Sequence, residues 1–594
     1  MTTDQKSNDF FIGVDVGTGS ARAALVACDG EIVAESTYPT TTYRDDHNHD
    51  IFEQSTTEIW NSIAKACKDC LRDTKVGPEQ VKGIGFDATC SLAVTTFEGE
   101  PMSITQDQWG PGESKRNIIL WADHRARDEA NLINSCGSPV LQYVGGTMSL
   151  EMEIPKVLWL KRHMPHQLFN QSMFFDLPDF LTYQATGNLA RSNCSLENAL
   201  MFLLRLKVIK GKTDFKQVGG SPGKQGLILT AGQPVGMGLT AKAAGDLGLL
   251  PSTPVGSGVI DGYAGWMGVV AAKMEGEKDS NLGMSQHRLC VSAGTSTCHI
   301  VQSPNPVFVP GVEGPYLHAV FPGYWMNQVG QSLTGQLLDF IIDTHPAVNK
   351  VKDLAQAKGV DHFVFLNNTL KQAQQDKKAP FLTYLTRYYY LYLDLHGNRS
   401  PLADNAMKGM LIGMSLDKGV MDLALRYLIT CEAIALQTRQ IVDKMNDQGH
   451  NISAIFMSGG LVKKCCLDAP DHGFCVELDG NNYPANICDV PIQLPASHSA
   501  SVVLGSAMLG KAAYVSTQLS QSQVISKQEI AEERADQMKD KLWEIMVGMS
   551  RPGTTIKPHL TEQEKKLLNV KYKIFNECID LQRKWRKDVQ DALS

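Results

Sequence analysis

No stretch of this 594-residue chain approaches the roughly 20 uninterrupted apolar residues that a membrane span requires. The opening MTTDQKSNDF is too polar to hold the apolar centre of a secretory signal. A basic tail or stripe is also missing: 56 Lys and Arg against 63 Asp and Glu leave a formal charge of -7, too mild for a protein that grips nucleic acid by its phosphates. The 14 cysteines show no framework spacing, which fits reduced thiols rather than a disulfide scaffold. These absences predict a soluble, cytoplasmic protein with neither a membrane nor a nucleic acid as partner.

What is present is core-forming material, with 43% hydrophobic and 20% charged residues. At about 150 residues per domain the length allows four domains, and at about 250 it allows two. The single CxxC, Cys67 and Cys70, lies in STTEIWNSIAKACKDCLRD, where Ile59, Ile63, Cys67, Cys70 and Leu71 recur at helical spacing behind a Ser55/Glu58 capping box. Without a second CxxC to complete a zinc site, both thiols read as part of a buried helix face. His47, His49 and Asp50 read as a solvated loop.

The run FFIGVDV at 10–16, followed by GTGS and by ARAALVACDGEIVAEST around an Asp29-Gly30 turn, predicts three successive strands. A helix over about 55–72 follows, and VKGIGFDATCSLAVTTFEGEP reads as two more strands around a tight polar turn. Strands, a crossover helix and further strands describe a mixed sheet carrying helices. CVSAGTSTCHIV repeats GVDVGTGSARAALV, with Gly294-Thr295 in the place of Gly17-Thr18. Two related halves are therefore expected. A long helix over about 420–446 leads to another strand-to-helix turn at FMSGGLV, and SASVVLGSAMLGKAAYV carries small residues that admit a neighbour closely. The polar stretch 520–594 reads as surface helices.

Glycine-hydroxyl turns gather backbone N–H groups around one point and cradle phosphate without a lysine. Asp15–Ser20 does this from one half and Ala293–Thr297 from the other; neither has the GxGxxG or GxxxxGK[ST] form. Gly294 is expected to permit both close approach of a phosphate and the geometry of its turn. Asp15, at the end of an apolar strand, reads either as a partner of hydrated Mg2+ or as a carboxylate bonded to turn N–H groups. Asp261, in STPVGSGVIDGYAGWMGVV, reads either as a helix N-cap or as a base that takes a proton from an attacking hydroxyl. Lys156, ahead of an amphipathic helix, reads from its surroundings in sequence as a surface lysine.

The pattern resembles the FGGY carbohydrate kinases. The matching pieces run nearly end to end: GVDVGTGSARA at 13–23, GIGFDATCSL at 83–92, ILWADHRA at 119–126, IPKVLWL at 154–160, GSGVIDGYAG at 256–265, SAGTST at 292–297, GQSLTG at 330–335, HGNRSPLAD at 396–404, MSGG at 457–460 and LGSAMLG at 504–510. The turn at 87–92 and the run at 396–401 look most like the eukaryotic D-ribulokinase branch of that family. The resemblance implies an α/β fold of two actin-like (ribonuclease H-like) domains with a cleft between them. They divide as residues 1–265 (sugar and first phosphate turn), 266–515 (nucleotide side) and a helical tail 516–594.

The resemblance also implies roles. Asp261 becomes the catalytic base and Asp15 the Mg2+-associated aspartate. Thr18, Gly19, Ser20 and Arg22 form the first ATP-binding turn, Gly294 and Thr295 the second, and Ser458, Gly459 and Gly460 the adenosine turn. Cys90, Lys156, Asp261 and Gln328 are expected to hold the sugar. The activity implied is ATP-dependent phosphorylation of a pentulose, D-ribulose to D-ribulose 5-phosphate, with ATP and Mg2+. The alternatives are another pentulose or a polyol as acceptor, or an actin-fold ATP-binding scaffold. A homodimer is compatible with it. Three departures stand out. Glu313, in PGVEGPY, replaces a usual aromatic, and residues 201–226 and 464–486 replace usual segments and are expected to be the least ordered parts of the two halves.

Overall fold

The computed structural model describes residues 8–112, 115–196, 226–460, 483–496, 500–519 and 525–594. Of the two segments expected to be least ordered, 201–225 and 464–482 lie outside the described residues.

The first half is built on strands β1 (Phe10–Val16), β2 (Ser20–Ala27), β3 (Ile32–Pro39), β4 (Val81–Ala88) and β5 (Val259–Ile260), in the order β5-β4-β1-β2-β3. β1 is central, which explains its continuous apolar run; β3 is the edge and alternates in exposure residue by residue. The second half uses β6 (Arg288–Ala293), β7 (Thr297–Ser303), β8 (Glu313–Leu317), β9 (Trp325–Gln331), β10 (Ala454–Ser458), β11 (Ile492–Leu494) and β12 (Thr554–Ile556), in the order β8-β9-β7-β6-β10-β11-β12. The wiring repeats. β1–β2 and β6–β7 are antiparallel hairpins, β2–β3 and β7–β9 continue them antiparallel, and β1–β4–β5 and β6–β10–β11 run parallel. The sequence repeat at Gly17 and Gly294 therefore marks a repeat of topology.

Helix α1 (Thr56–Thr74) buries Ile59, Ile63, Cys67 and Cys70, as its spacing predicts, and both thiols are free. Only half of the expected capping box forms. Ser55 Oγ accepts the Glu58 N–H, while the Glu58 carboxylate accepts from the N–H and hydroxyl of Thr41 instead. The long helix of the second half, α3 (Val420–Asp447), runs as its pattern predicts.

Two helices connect the halves: α2 (Asp261–Val270) and α4 (Ser501–Leu519). α4 follows strands β6 to β11 of the second sheet in sequence but packs on β1 and β4 of the first. Glycines make that approach possible. A Cβ on Gly13 would stand 1.9 Å from the Val503 carbonyl oxygen, one on Gly85 2.0 Å from that of Ser506, and one on Gly505 2.0 Å from that of Ala264 in α2. The expected divisions at 265/266 and 515/516 fall inside these two helices.

The tail departs from the expectation of surface helices. α5 (Gln528–Met549) buries Trp543, Met546 and Met549 in a core to which both halves contribute, with the Trp543 ring 6.3 Å from that of Phe321, and β12 pairs antiparallel with β11. α6 (Glu562–Leu593) buries Leu568, Phe575 and Ile579 in the second core, where Lys571 forms a buried ion pair with Glu432 of α3. Polar composition concealed a one-sided apolar face on each helix. Among the described residues no helix is long and apolar enough to cross a membrane.

Candidate active site

Parallel pairing puts Asp15 of β1 opposite Asp87 of β4, and Val259 of β5 opposite Asp87 on its other side. Asp261 begins α2 directly after β5. Three carboxylates thus stand at the C-terminal ends of three adjacent parallel strands, the edge of an open α/β sheet where ligands bind. Asp87 is fully buried. One of its oxygens accepts from Ser506 Oγ at 2.5 Å and the other has no hydrogen-bond partner. Burial, followed by the charge of Asp15, pushes its pKa well up. Asp15 pairs with Arg22 at 2.7 Å, so its partner is a side chain rather than the turn N–H groups.

Asp261 is the first residue inside α2, not the N-cap, which is Ile260. Its Oδ1 accepts the Gly262 N–H at 2.6 Å, and the side chain keeps partial access to solvent. Burial, with the charge of Asp15 second, raises its pKa to about 7. Its charge is also felt by Cys298 of β7, and a Cβ on Gly262 would lie 3.2 Å from Ile300 Cδ1, so Asp261 sits between the two halves. Sequence reading gave Asp87 no role. Its signal was the shared register of GVDV and GFDA, visible once β1 and β4 are known to be parallel neighbours. The unpartnered oxygen of Asp87 and the Asp15 carboxylate on the neighbouring strand are hard oxygen donors of the type a divalent ion takes, with Arg22 occupying one oxygen of Asp15.

The two Gly-Thr turns are alike. The Gly17 N–H donates to the Ser20 carbonyl at 3.0 Å and the Gly294 N–H to the Ser296 carbonyl at 2.8 Å, leaving Thr18 and Thr295 exposed at the tips. Trp121 Nε1 donates to Thr18 Oγ1 at 3.0 Å and Gln54 Nε2 to its carbonyl at 2.8 Å. The Thr334 N–H holds the Thr295 carbonyl at 3.1 Å. Gly19 and Ser20 complete the first turn. Contrary to expectation, the backbone does not require glycine at 294: its φ is outside the left-handed region and a Cβ would make only ordinary contact, 3.6 Å from the Ser296 carbonyl oxygen. The glycine that is required is Gly459, with φ of 99° and a would-be Cβ 2.3 Å from the Ala293 carbonyl oxygen. Ser458, paired with Ser292, is fully buried, so Gly459 and Gly460 form the accessible part of that turn.

Elsewhere in the first half, Cys90 Sγ and one carboxylate oxygen each of Glu153 and Asp176 lie within 4.8 Å of one another. Lys156, on the helix Glu153–His163, is fully buried rather than on the surface. Its ammonium donates to the carbonyls of Leu120 at 2.7 Å, Trp121 at 2.9 Å and Glu151 at 3.1 Å, which uses its three N–H bonds. Gln328 of β9 and Tyr316 of β8 are buried, and Gln328 Oε1 and the Tyr316 hydroxyl have no hydrogen-bond partner. Glu313, the residue in an unusual place, accepts from Arg399 at 2.9 Å. Neither Tyr316 nor Arg399 was assigned a role from sequence.

Models of the FGGY family of carbohydrate kinases match the chain twice, the N-terminal domain over residues 10–268 and the C-terminal domain over 289–514. The chain is 41% identical to a D-ribulokinase of Saccharomyces cerevisiae over 85% of its length and 72% of that protein. It is 38% identical to the FGGY carbohydrate kinase domain-containing protein of Homo sapiens over 99% of both chains. Among solved structures, xylulose kinase from Rhodospirillum rubrum aligns with a TM-score of 0.68 at 19% identity, covering 97% of this chain and 99% of that one. Plasmodium falciparum glycerol kinase with ADP aligns with a TM-score of 0.67 at 13% identity, over 97% and 98%.

Proposed function

Because the chain belongs to the FGGY family of carbohydrate kinases, we propose that it transfers the γ-phosphoryl group of ATP to a pentulose, D-ribulose, giving D-ribulose 5-phosphate, with Asp261 as general base. The observation that carries the reading is the position of Asp261, a partly accessible carboxyl with a pKa raised to about 7, between the strand-end acids of one half and the turn-bearing hairpin of the other. The D-ribulokinase among its relatives favours this acceptor.

Phosphoryl transfer leaves little covalent work to the protein, so positioning and charge stabilisation carry the rate. Asp261 accepts the proton of the attacking hydroxyl as the oxygen–phosphorus bond forms and the bond from the γ-phosphorus to the β–γ bridging oxygen breaks, releasing ADP. Thr18 and Thr295 supply donors to the phosphates from the two turns, and Arg22 keeps Asp15 in place. Asp15 and Asp87 are the residues that would hold the Mg2+ accompanying ATP, which neutralises charge between phosphates when bound. Gly459 and Gly460 line the adenosine side. Cys90 and Gln328 face the sugar, and the unpartnered Gln328 oxygen is an acceptor for a sugar hydroxyl. Lys156 reaches the sugar by exchanging one of its three carbonyl partners, and otherwise braces the pocket wall.

The substrate assignment is tested by coupled ADP release over a panel of pentuloses, pentitols and glycerol. D-ribulose is expected to be preferred over glycerol, which lacks hydroxyls that the site would pair with, and over D-xylulose, whose C3 hydroxyl points the other way and leaves the same polar groups unpaired. Preference for glycerol would overturn the pentulose reading.

A second outcome concerns pH. A base must be ionised to work, and this carboxyl holds its proton below about 7. Below that pH, kcat/KM for the sugar is expected to climb about tenfold per pH unit, and above it to level off. A profile at saturating ATP that stays flat through the neutral range removes Asp261 from the role of base.

A further inference from the structure

Arg399 joins the halves. Its Nη1 lies 2.6 Å from Glu151, which belongs to the first half, and its Nη2 lies 2.9 Å from Glu313 of β8. Burial opposes the guanidinium's charge, yet the two carboxylates hold its pKa above the ordinary value. The same seam carries a backbone bridge between Val144 and Glu313, and the Gly311 N–H donates to the Gly145 carbonyl at 3.1 Å. The seam adjoins the sugar side of the site, because the Glu151 carbonyl is one of the three that hold Lys156.

Arg399 is carried by the loop 396–404, whose two ends are tied together. The Asn398 N–H donates to the Asp404 carbonyl at 3.0 Å, and the Asp404 N–H returns to the Asn398 carbonyl at 2.9 Å. The base of the loop is clamped from outside by α6. Arg586 grips the Asp404 carboxylate with two parallel bonds, 2.8 Å and 2.5 Å, and Arg583 Nε lies 3.4 Å from it. Gln582 exchanges two bonds of 2.8 Å with the backbone of Lys408. A fork of this kind fixes orientation as well as distance.

We propose that α6 is a positioning element for cleft closure: Arg586, through Asp404, sets the loop that presents Arg399 to Glu151 across the two halves. Glu313 then has a physical reason for standing where an aromatic is usual, since it holds Arg399 from its own half while Glu151 receives it from the other. Closing the halves matters to a kinase because it excludes the water that competes with the sugar for the phosphoryl group. The consequence for activity rests on the kinase reading above; the mechanical link from α6 to Glu151 does not.

The test is a double-mutant cycle in the full-length protein, with Arg586→Ala and Arg399→Ala alone and together, and Arg586→Lys as the conservative variant. Arg399→Ala is expected to lower kcat/KM for the sugar by roughly 5- to 30-fold, the effect of losing one or two buried interactions. Arg586→Ala should lower it less, Arg586→Lys should recover part of the loss, and Arg586→Ala should add almost nothing where Arg399 is already alanine. An equal factor in both backgrounds, or none in either, overturns the proposal, because a merely structural clamp acts whether or not Arg399 is present. Hydrogen exchange without substrate provides a readout independent of turnover. Arg586→Ala is expected to speed exchange at 149–152 in the first half as well as at 397–404, and unchanged exchange at 149–152 overturns the link. If the wild-type chain phosphorylates no pentulose while this coupling persists, the functional reading fails and the positioning role stands.

Discussion

Asp261→Asn is expected to lower kcat by about 10²- to 10⁴-fold, the usual loss on removing a general base, while the sugar KM and the fold remain close to wild type. The amide keeps the shape of the side chain, and its carbonyl oxygen still accepts the Gly262 N–H that the carboxylate accepts at 2.6 Å. What it loses is the ability to take a proton. The stability of the variant supplies an internal control. Asp261 has a folded pKa of about 7 against an ordinary 3.8, so between these values the folded chain holds a proton that the unfolded chain has released. Such a group reduces stability as the pH rises through that window. Asparagine removes the penalty, and the thermal midpoint of the variant above neutral pH should equal or exceed that of the wild type. Turnover at the wild-type rate would mean that Asp261 merely holds the first turn of α2 and that the base lies elsewhere.

Gly459→Ala should cut affinity for Mg-ATP by at least about 30-fold, a factor of ten for each 1.4 kcal/mol, with a smaller effect on the sugar. Two costs combine. A φ of 99° strains any residue with a side chain, and the new Cβ would stand 2.3 Å from the Ala293 carbonyl oxygen. Backbone strain and overpacking each cost about 1–3 kcal/mol. Relief requires moving the end of β6, which leads directly into the Gly294-Thr295 turn, so the two nucleotide-facing turns lose their mutual position together. Gly294→Ala is the matched control: its Cβ meets the nearest carbonyl oxygen at 3.6 Å, and a much smaller loss is expected. Separate calorimetric titrations of nucleotide and D-ribulose distinguish the outcomes. Equal losses for both ligands in Gly459→Ala, with a collapse in thermal stability, would show general damage rather than a nucleotide turn.

Elements with strong local signals were legible in sequence. β1, β2 and β3 follow from the apolar run, the two-residue period and the Asp29-Gly30 turn, and α1 follows from its helical spacing. Where a local rule had two ways of being satisfied, the neighbours chose between them. Glu58 looks like the second half of a capping box, but Thr41 lies closer to hand and takes its carboxylate. Lys156 looks like a surface lysine, yet three carbonyls from two separate loops surround its ammonium. The tail looks polar overall, and only packing shows which faces of α5 and α6 are buried.

By itself, the sequence determined the α/β class, the duplication of halves around two Gly-Thr turns, the family to which the chain belongs, and the identity of the acid and turn residues that carry its motifs. All of these are short-range patterns, readable because strand alternation, helical spacing and turn chemistry act within a few residues. Tertiary structure decided what depends on residues distant in the chain: the placement of Asp87 beside Asp15, the need for glycine at 459 rather than 294, the burial of Lys156, and the union of Glu151, Glu313 and Arg399 at the seam. The physical reason is that burial, a raised pKa and a close backbone approach are properties of a surrounding shell. Here that shell comes from segments hundreds of residues apart, as Ser506 and Asp87, 419 residues apart, are, and no local period encodes such a pairing.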